Sequence, residues 1–382
     1  MNGRDWQIGR ILGIPIRIHA SWLLVLGFVT WSLATGYLPE SLPGLTVARY
    51  WAMGLVATLL LFASVLLHEL GHSYVALRYR MPIAQITLFI FGGVAQIRRE
   101  PPGPRAEFFI AIAGPAVSFA IGGALLLFAT MLEASTSLQG LVALGTLVGT
   151  VNVQLGVFNL IPGFPLDGGR VLRAGLWKWS GDFNRATQQA SFAGQVFGLV
   201  LGALGAMLLA GAAARVIPGA DAANGGWIVL IGAFLFAAAA SSRRQAALRV
   251  LLSRVSVADV MVRDVVTLPP DLRVDQAVAD FFIRYGHSGF PVQADGRIVG
   301  MLTVREIQQV PQPQWVWRRV RDIMQPWSPT LEVAPESPAI AAFEQMIREG
   351  QGRLGVMQDG RLVGLVTRSG IVRFLQLRGM RL

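Results

Sequence analysis

The segment His68-Glu69-Leu70-Gly71-His72 carries two imidazoles four residues apart, so on a helix they share a face and can reach one metal ion. Glu69 stands beside them without being needed as a ligand, the position from which a carboxylate takes a proton from a metal-activated water. A hydrogen-bonded polar cluster or a proton relay would use the same residues. A catalytic zinc ion wants three protein ligands and one open position, so a third ligand must come from elsewhere in the chain. Cysteine is absent, which excludes thiolate sites and disulfides and leaves histidines and carboxylates. His287 falls in a polar C-terminal region, and His19 borders the first apolar run, where a polar anchor is the ordinary reading. Asp167 is the better candidate. It lies in Asn159-Leu160-Ile161-Pro162-Gly163-Phe164-Pro165-Leu166-Asp167-Gly168-Gly169, where prolines end a helix and glycines permit backbone shapes that other residues avoid. The bland alternative is a surface Asp that caps the following helix.

The elements that must position these residues are apolar. Of the 382 residues 53% are hydrophobic and only 14% are charged, too little polar surface for a soluble chain of this size. Six stretches are long enough to cross a bilayer: 20–38, 50–77, 108–131, 141–161, 192–212 and 226–240. The two-histidine motif falls deep in the second, with Arg78 about 8 residues, or about 12 Å, beyond its centre. Two histidines and a glutamate at that depth cost several kcal/mol unless they are paired or bound to metal. In the fifth stretch Gly194, Gly198 and Gly202 recur every four residues, which predicts close internal helix packing.

The net charge of +11 would suggest nucleic acid in a soluble domain, but no recognition motif accompanies it. Arginine beside membrane spans instead sets orientation and touches anionic lipid. Arg4, Arg10 and Arg17 precede the first span, and Arg78, Arg80, Arg98, Arg99 and Arg105 follow the second. Arg170, Arg173, Lys178 and Arg185 follow the fourth, and Arg243, Arg244, Arg249 and Arg254 follow the sixth. The alternate loops hold little: Arg49 with Glu40, Glu133 alone, and Arg215 with Asp221. With six spans every basic cluster lands on one side, which predicts that both termini are cytoplasmic. The N-terminus, with Asp5 and no small-residue cleavage site, does not read as a removable signal peptide.

From about Val255 the long apolar runs stop and short strand and helix patterns alternate. Asp259-Val260-Met261 and Asp322-Ile323-Met324 open two copies of a repeat, which close on Gly296-Arg297-Ile298-Val299-Gly300 and Gly360-Arg361-Leu362-Val363-Gly364. Each copy reads as a strand, a helix (274–284; 339–349), a hairpin and a closing helix. The fold expected is a multi-span α-helical membrane protein of about six transmembrane helices with a C-terminal α/β tandem module. The boundaries expected are 1–245 for the membrane domain, then 255–310 and 318–378 for the two copies.

The two chemical motifs together resemble the site-2 protease (M50) family, over most of residues 10–200. The resemblance implies one zinc ion per chain held by His68, His72 and Asp167, with Glu69 as general base and acid. It also implies that Asn159 orients substrate or stabilises the oxyanion, a role an amide donor can fill; interhelical glue is the alternative, and Asn152, seven residues earlier, reads as glue. Residues 83–97 are rich in strand formers and centred on Gly92-Gly93, a hairpin-turn signal. An exposed strand edge there could hold an unwound substrate segment by β-augmentation, against the plainer reading of an amphipathic interfacial hairpin. Gly114-Pro115 should kink the third span, and Ser118 stands where the family commonly has Asn, which bears only on a minor hydrogen bond. Transmembrane protein substrates, regulated intramembrane proteolysis and a bacterial or archaeal cell membrane follow from the family.

The repeat resembles paired CBS domains, which often bind adenine nucleotides between the copies. Thr303, Glu306 and Thr367 occupy the positions that would hold such a nucleotide, although Gly370 replaces the second carboxylate and Glu306 is one methylene longer than the usual Asp. A homodimerising or structural pair without ligand is the alternative. The rival for the whole chain is a CBS-gated transporter or channel that uses the intramembrane His, Glu and Asp as an ion path.

Overall fold

The computed structural model describes residues 5–90, 92–97, 100–213 and 222–378. Arg4, Arg98, Arg99, Arg215 and Asp221, counted above among the loop charges, lie outside them. The chain divides into two compact units, Met1–Ala246 and Ala247–Leu382.

The first unit is built on helices whose residues are apolar on nearly every face, as burial in lipid requires. Six helices among the described residues are long and apolar enough to cross a membrane. We label these helices and the one short helix among them α1 (Ser21–Ser41), α2 (Val47–Arg78), α3 (Pro104–Leu132), α4 (Gln139–Asn159), α5 (Asp167–Ser180), α6 (Phe183–Ala213) and α7 (Ala222–Ser253). All six expected stretches are found, and the last two helices run well beyond them. Their polar ends, Phe183–Gln189 and Ser241–Ser253, depress the local hydropathy without breaking the helix. α5 is the exception in character: short and amphipathic, it is not a span. α3 continues unbroken through Pro115.

Between α2 and α3 the strand formers pair as expected, with β3 (Ile83–Phe89) antiparallel to β4 (Gly92–Ile97). Two details differ from the sequence reading. Gly92 and Gly93 open β4 rather than forming the turn, and Gly93 pairs with Leu88. The sheet also has four strands, in the order β1-β2-β3-β4, because β1 (Asp5–Ile11) and β2 (Ile14–His19) join it from the N-terminus. The β2–β3 pairing is parallel and spans about seventy residues of chain, so no local periodicity announces it. β4 is an edge strand, and Ile14, Ile16 and Ile86 form the core beneath the sheet.

The second unit contains two three-stranded sheets, with strand orders β5-β6-β7 and β10-β9-β8. These strands are β5 (Gly289–Ala294), β6 (Arg297–Thr303), β7 (Gln325–Pro326), β8 (Glu332–Val333), β9 (Arg353–Gln358) and β10 (Arg361–Thr367). The opening segments of the copies are exchanged. Val257 and Met261 pack in the core built on β9 and β10, whereas Val320 and Met324 pack in the core built on β5 and β6. The first copy's helix begins as α-helix at Val274 and continues as a π-helix over Val278–Ile283.

Candidate metal centre

α2 delivers His68 and His72 to one buried face, 4% exposed each. Their rings are oriented from outside. His72 Nδ1 lies 2.6 Å from the carbonyl oxygen of Ile110, and His68 Nδ1 lies 2.9 Å from Ser118 Oγ, both partners on α3. Each Nε2 therefore points away from α3's anchors and toward Asp167.

Asp167 is the first residue of α5. The preceding loop is pinned by a hydrogen bond from Phe164 N to Ala190 O (3.3 Å). At Gly168 a Cβ would overlap the Leu160 carbonyl, so only glycine lets the helix start fold back onto that loop. α5 is then clamped to α3 by ions. Glu107, fully buried near the start of α3, accepts from Arg170 Nε (3.1 Å) and from Arg173 Nη2 (2.5 Å). The Arg173 guanidinium also lies between the rings of Phe164 (4.9 Å) and Phe183 (4.6 Å), tying the ligand loop into the same cluster. Sequence reasoning counted Arg170 and Arg173 only as orientation charges and passed over Glu107. A lone acid in the first turn of an apolar span was the available signal.

The result is a triangle. Asp167 Oδ2 lies 3.2 Å from His68 Nε2 and 3.1 Å from His72 Nε2, and the two Nε2 atoms are 3.2 Å apart. Ligand atoms around a four-coordinate ion at about 2.0–2.1 Å stand about 3.3 Å apart, so the donor set matches zinc in type and spacing. Proton bookkeeping points the same way. A backbone carbonyl only accepts, so Nδ1 of His72 must carry the proton, and in the neutral ring its Nε2 presents a lone pair. That lone pair faces a carboxylate oxygen, a repulsive pairing that a cation between them turns into attraction. At Gly114 a Cβ would collide with both Nε2 atoms, so the glycine keeps this space open.

Glu69 sits one residue from the first histidine, and β4 lies directly over it: a Cβ on Gly93 would come 2.6 Å from Glu69 Cγ. Asn159, the last residue of α4, is half-buried and makes no side-chain hydrogen bond among the described residues. Asn152 is buried and bonds Ser64 Oγ on α2 (3.0 Å), which links the two helices. His19 bonds Ser21 Oγ, and His287 stands in the second unit against Tyr285; neither joins the triangle. The glycines of α6 serve packing: Gly194 abuts Phe164, and Gly198 abuts Gly232 and Phe236 of α7.

Ser118, read above as bearing on a minor bond, supplies the outer partner of His68. Removing such a partner typically costs 10–100-fold in metal affinity. Ser118→Ala should accordingly weaken zinc binding by about that factor in a chelator competition, and Ser118→Asn should restore it.

In the second unit Thr303 and Glu306 are engaged with each other. Thr303 N donates to Glu306 Oε2 at 3.0 Å and its hydroxyl reaches the same oxygen, a reciprocal helix cap. Thr367 Oγ1 accepts from Gly370 N (3.0 Å). Arg353, which sequence reasoning missed, reaches from the second copy to Ser288 Oγ of the first (2.7 Å) and covers Gly289. Burial depresses its guanidinium pKa, opposed only by the charge of Glu306.

A bundle of apolar spans that brings two histidines and an aspartate around one ion-sized space, with Glu69 alongside, has the layout of a membrane metallopeptidase. The comparisons with known proteins agree. The model of peptidase family M50 matches residues 56–136 and 129–202, and the CBS domain model matches 257–311 and 320–377. A Mycobacterium tuberculosis protein named "Putative zinc metalloprotease Rip3" is 36% identical over 97% of this chain and 92% of its own. A zinc metalloprotease of Methanocaldococcus jannaschii is 30% identical over 97% of this chain and 96% of its own. Among solved structures, a site-2 protease from Methanocaldococcus jannaschii is 33% identical, covers 63% of this chain and 95% of its own, and has a TM-score of 0.41. The chain belongs to the M50, site-2 protease family. It is a multi-pass membrane zinc metalloprotease with a C-terminal CBS pair.

Proposed function

We propose that the protein cleaves membrane-anchored proteins within or near the bilayer, as a step of regulated intramembrane proteolysis. The observation that carries this reading is the buried triangle of His68, His72 and Asp167 beside Glu69, at the edge of an open strand. His68, His72 and Asp167 would hold a zinc ion, which would supply Lewis acidity toward the scissile carbonyl and the attacking water. Glu69 takes a proton from the attacking water and passes it to the leaving amide nitrogen. Asn159, with its amide uncommitted, donates to the developing oxyanion. The edge of β4 binds the unwound substrate segment through backbone hydrogen bonds and presents it to Glu69, which Gly93 allows the strand to approach. Proteases need extended chain, and a transmembrane helix must open locally to provide it. Both termini lie in the cytoplasm of a bacterial or archaeal cell, the membrane domain covering 1–245 and the CBS copies 255–310 and 318–378. The test is cleavage of a membrane-spanning substrate by the purified full chain and by Glu69→Gln, with and without a zinc chelator. Equal cleavage by the two proteins would rule the mechanism out.

The CBS pair is the regulatory input, and its ligand is an anionic adenine nucleotide. Arg353 supports this: a half-buried cation that bonds Ser288 Oγ and feels only the charge of Glu306, itself held in a helix cap, favours a phosphate in the cleft. Glu306 is committed to its own helix cap, so the phosphate rather than the ribose dominates recognition. Titrating ATP into the full chain should release heat, and Arg353→Gln should weaken binding by about tenfold or more. Absence of heat, or an affinity unchanged by the substitution, would remove nucleotide control.

A further inference from the structure

Outside the metal centre the first unit has a groove of about 480 Å³ between α3 and α5. Its α3 wall is Pro104, Arg105, Phe108 and Phe109, and its α5 wall is Ala174, Gly175 and Lys178. On each helix the lining residues follow i, i+3, i+4 spacing, so each wall is one continuous face.

The two helices run antiparallel here. Gly114 of α3 and Asp167 of α5 both meet the histidines, while Glu107 and the pair Arg170 and Arg173 meet further along, backward in α3 and forward in α5. Arg105 then lies about 14 Å from the Gly114 level and Lys178 about 16 Å from Asp167, both on the side away from the metal. Phe108, Phe109, Ala174 and Gly175 lie nearer to it. The groove is thus cationic at its outer end and apolar at its inner end, the polarity of a lipid with its headgroup outward.

Two features favour an anionic phospholipid over a neutral one, and two more favour a lipid of either kind. The outer end offers two exposed cations, and among the described residues no carboxylate lines the groove. The nearby Glu107 is fully buried and already held by Arg170 and Arg173. Next to Lys178, Trp179 is 88% exposed, the placement of an interfacial anchor at headgroup level. The floor is shallow in side chains, since a Cβ on Gly175 would meet nothing within 4 Å, which leaves room for an acyl chain beside the phenylalanines.

We propose that this groove is a binding site for one anionic phospholipid, its phosphate bridging Arg105 and Lys178 and one acyl chain lying along Phe108, Phe109 and Gly175. The lipid would brace the outer part of α5, whose first residue is Asp167. Positive side chains near a membrane surface attract anionic lipid additively, so two should give a preference of about tenfold to thirtyfold over a zwitterionic lipid.

The test uses the full chain in vesicles of equimolar phosphatidylglycerol and phosphatidylcholine, released for native mass spectrometry that reads retained lipid and bound zinc on the same molecules. One phosphatidylglycerol retained in about tenfold excess supports the site. The preference should vanish in Arg105→Gln/Lys178→Gln and persist in Arg105→Lys/Lys178→Arg, with the zinc kept in both. Equal retention of the two lipids, or a preference that survives the double glutamine variant, overturns it. So does displacement of the lipid by excess inorganic phosphate, which would mark a free-anion site. Because no peptide is cleaved in this experiment, its failure leaves the protease reading intact.

Discussion

Glu69→Gln should leave the zinc in place and lower kcat for peptide cleavage by a factor on the order of 10²–10⁴, the usual contribution of a positioned general base. The substitution is nearly isosteric. The three proposed ligand atoms belong to His68, His72 and Asp167, and the two imidazoles are oriented by Ser118 and the Ile110 carbonyl rather than by residue 69. Glutamine keeps the volume under Gly93 but cannot accept a proton at the reacting water. KM should change little, since strand-edge binding uses backbone groups of β4. Zinc content by elemental analysis and single-turnover cleavage, measured on one preparation, separate the two effects. An ion-path protein would behave in the opposite way: flux would survive in Glu69→Gln, and no cleavage would be seen in either protein. Retained zinc with unchanged turnover would show that another group handles the proton.

How much of this was readable beforehand depends on the range of the interaction. Apolar runs announce spans because bilayer thickness sets their length, and all six were found. The histidine pair was legible because helical geometry alone puts residues 68 and 72 on one face. Asp167 was legible in type but not in place, since its approach depends on Gly168 folding against Leu160 and on ions between α3 and α5. Those ions were hidden. Arg170 and Arg173 look like any basic cluster after a span until Glu107, more than sixty residues earlier, is seen opposite them. The N-terminal strands pair locally with each other as a hairpin, but their place in the sheet was missed because β2 meets β3 only across α1 and α2. The exchanged openings of the CBS copies show a related limit. A repeat identifies two units, but which opening completes which core is decided by packing that the repeat leaves degenerate.

Asp167→Ala should empty the metal centre. Zinc binding to four-ligand sites is worth about 10–16 kcal/mol, or roughly 3 kcal/mol per ligand, so losing one weakens binding on the order of 10²–10³-fold. Removing the only carboxylate in the set also strips the negative charge that offsets a divalent cation in a buried pocket. Dialysis against a weak chelator, followed by elemental analysis, should find about one zinc per wild-type chain and almost none in the variant, with cleavage lost in proportion. The same experiment decides between a metal centre and a hydrogen-bonded cluster. Without a metal, the closeness of His72 Nε2 to Asp167 Oδ2 requires a proton held between them, in its charged form an imidazolium paired with the carboxylate, because Nδ1 already donates to Ile110 O. An ion pair of that kind stabilises the fold whether or not zinc is supplied, so Asp167→Ala would lower the unfolding temperature equally with and without the metal. A metal centre predicts otherwise: wild type gains stability when zinc is added, by mass action on the folded state, and the variant gains little. A zinc-dependent shift of the same size in both proteins would show that the third ligand is not Asp167.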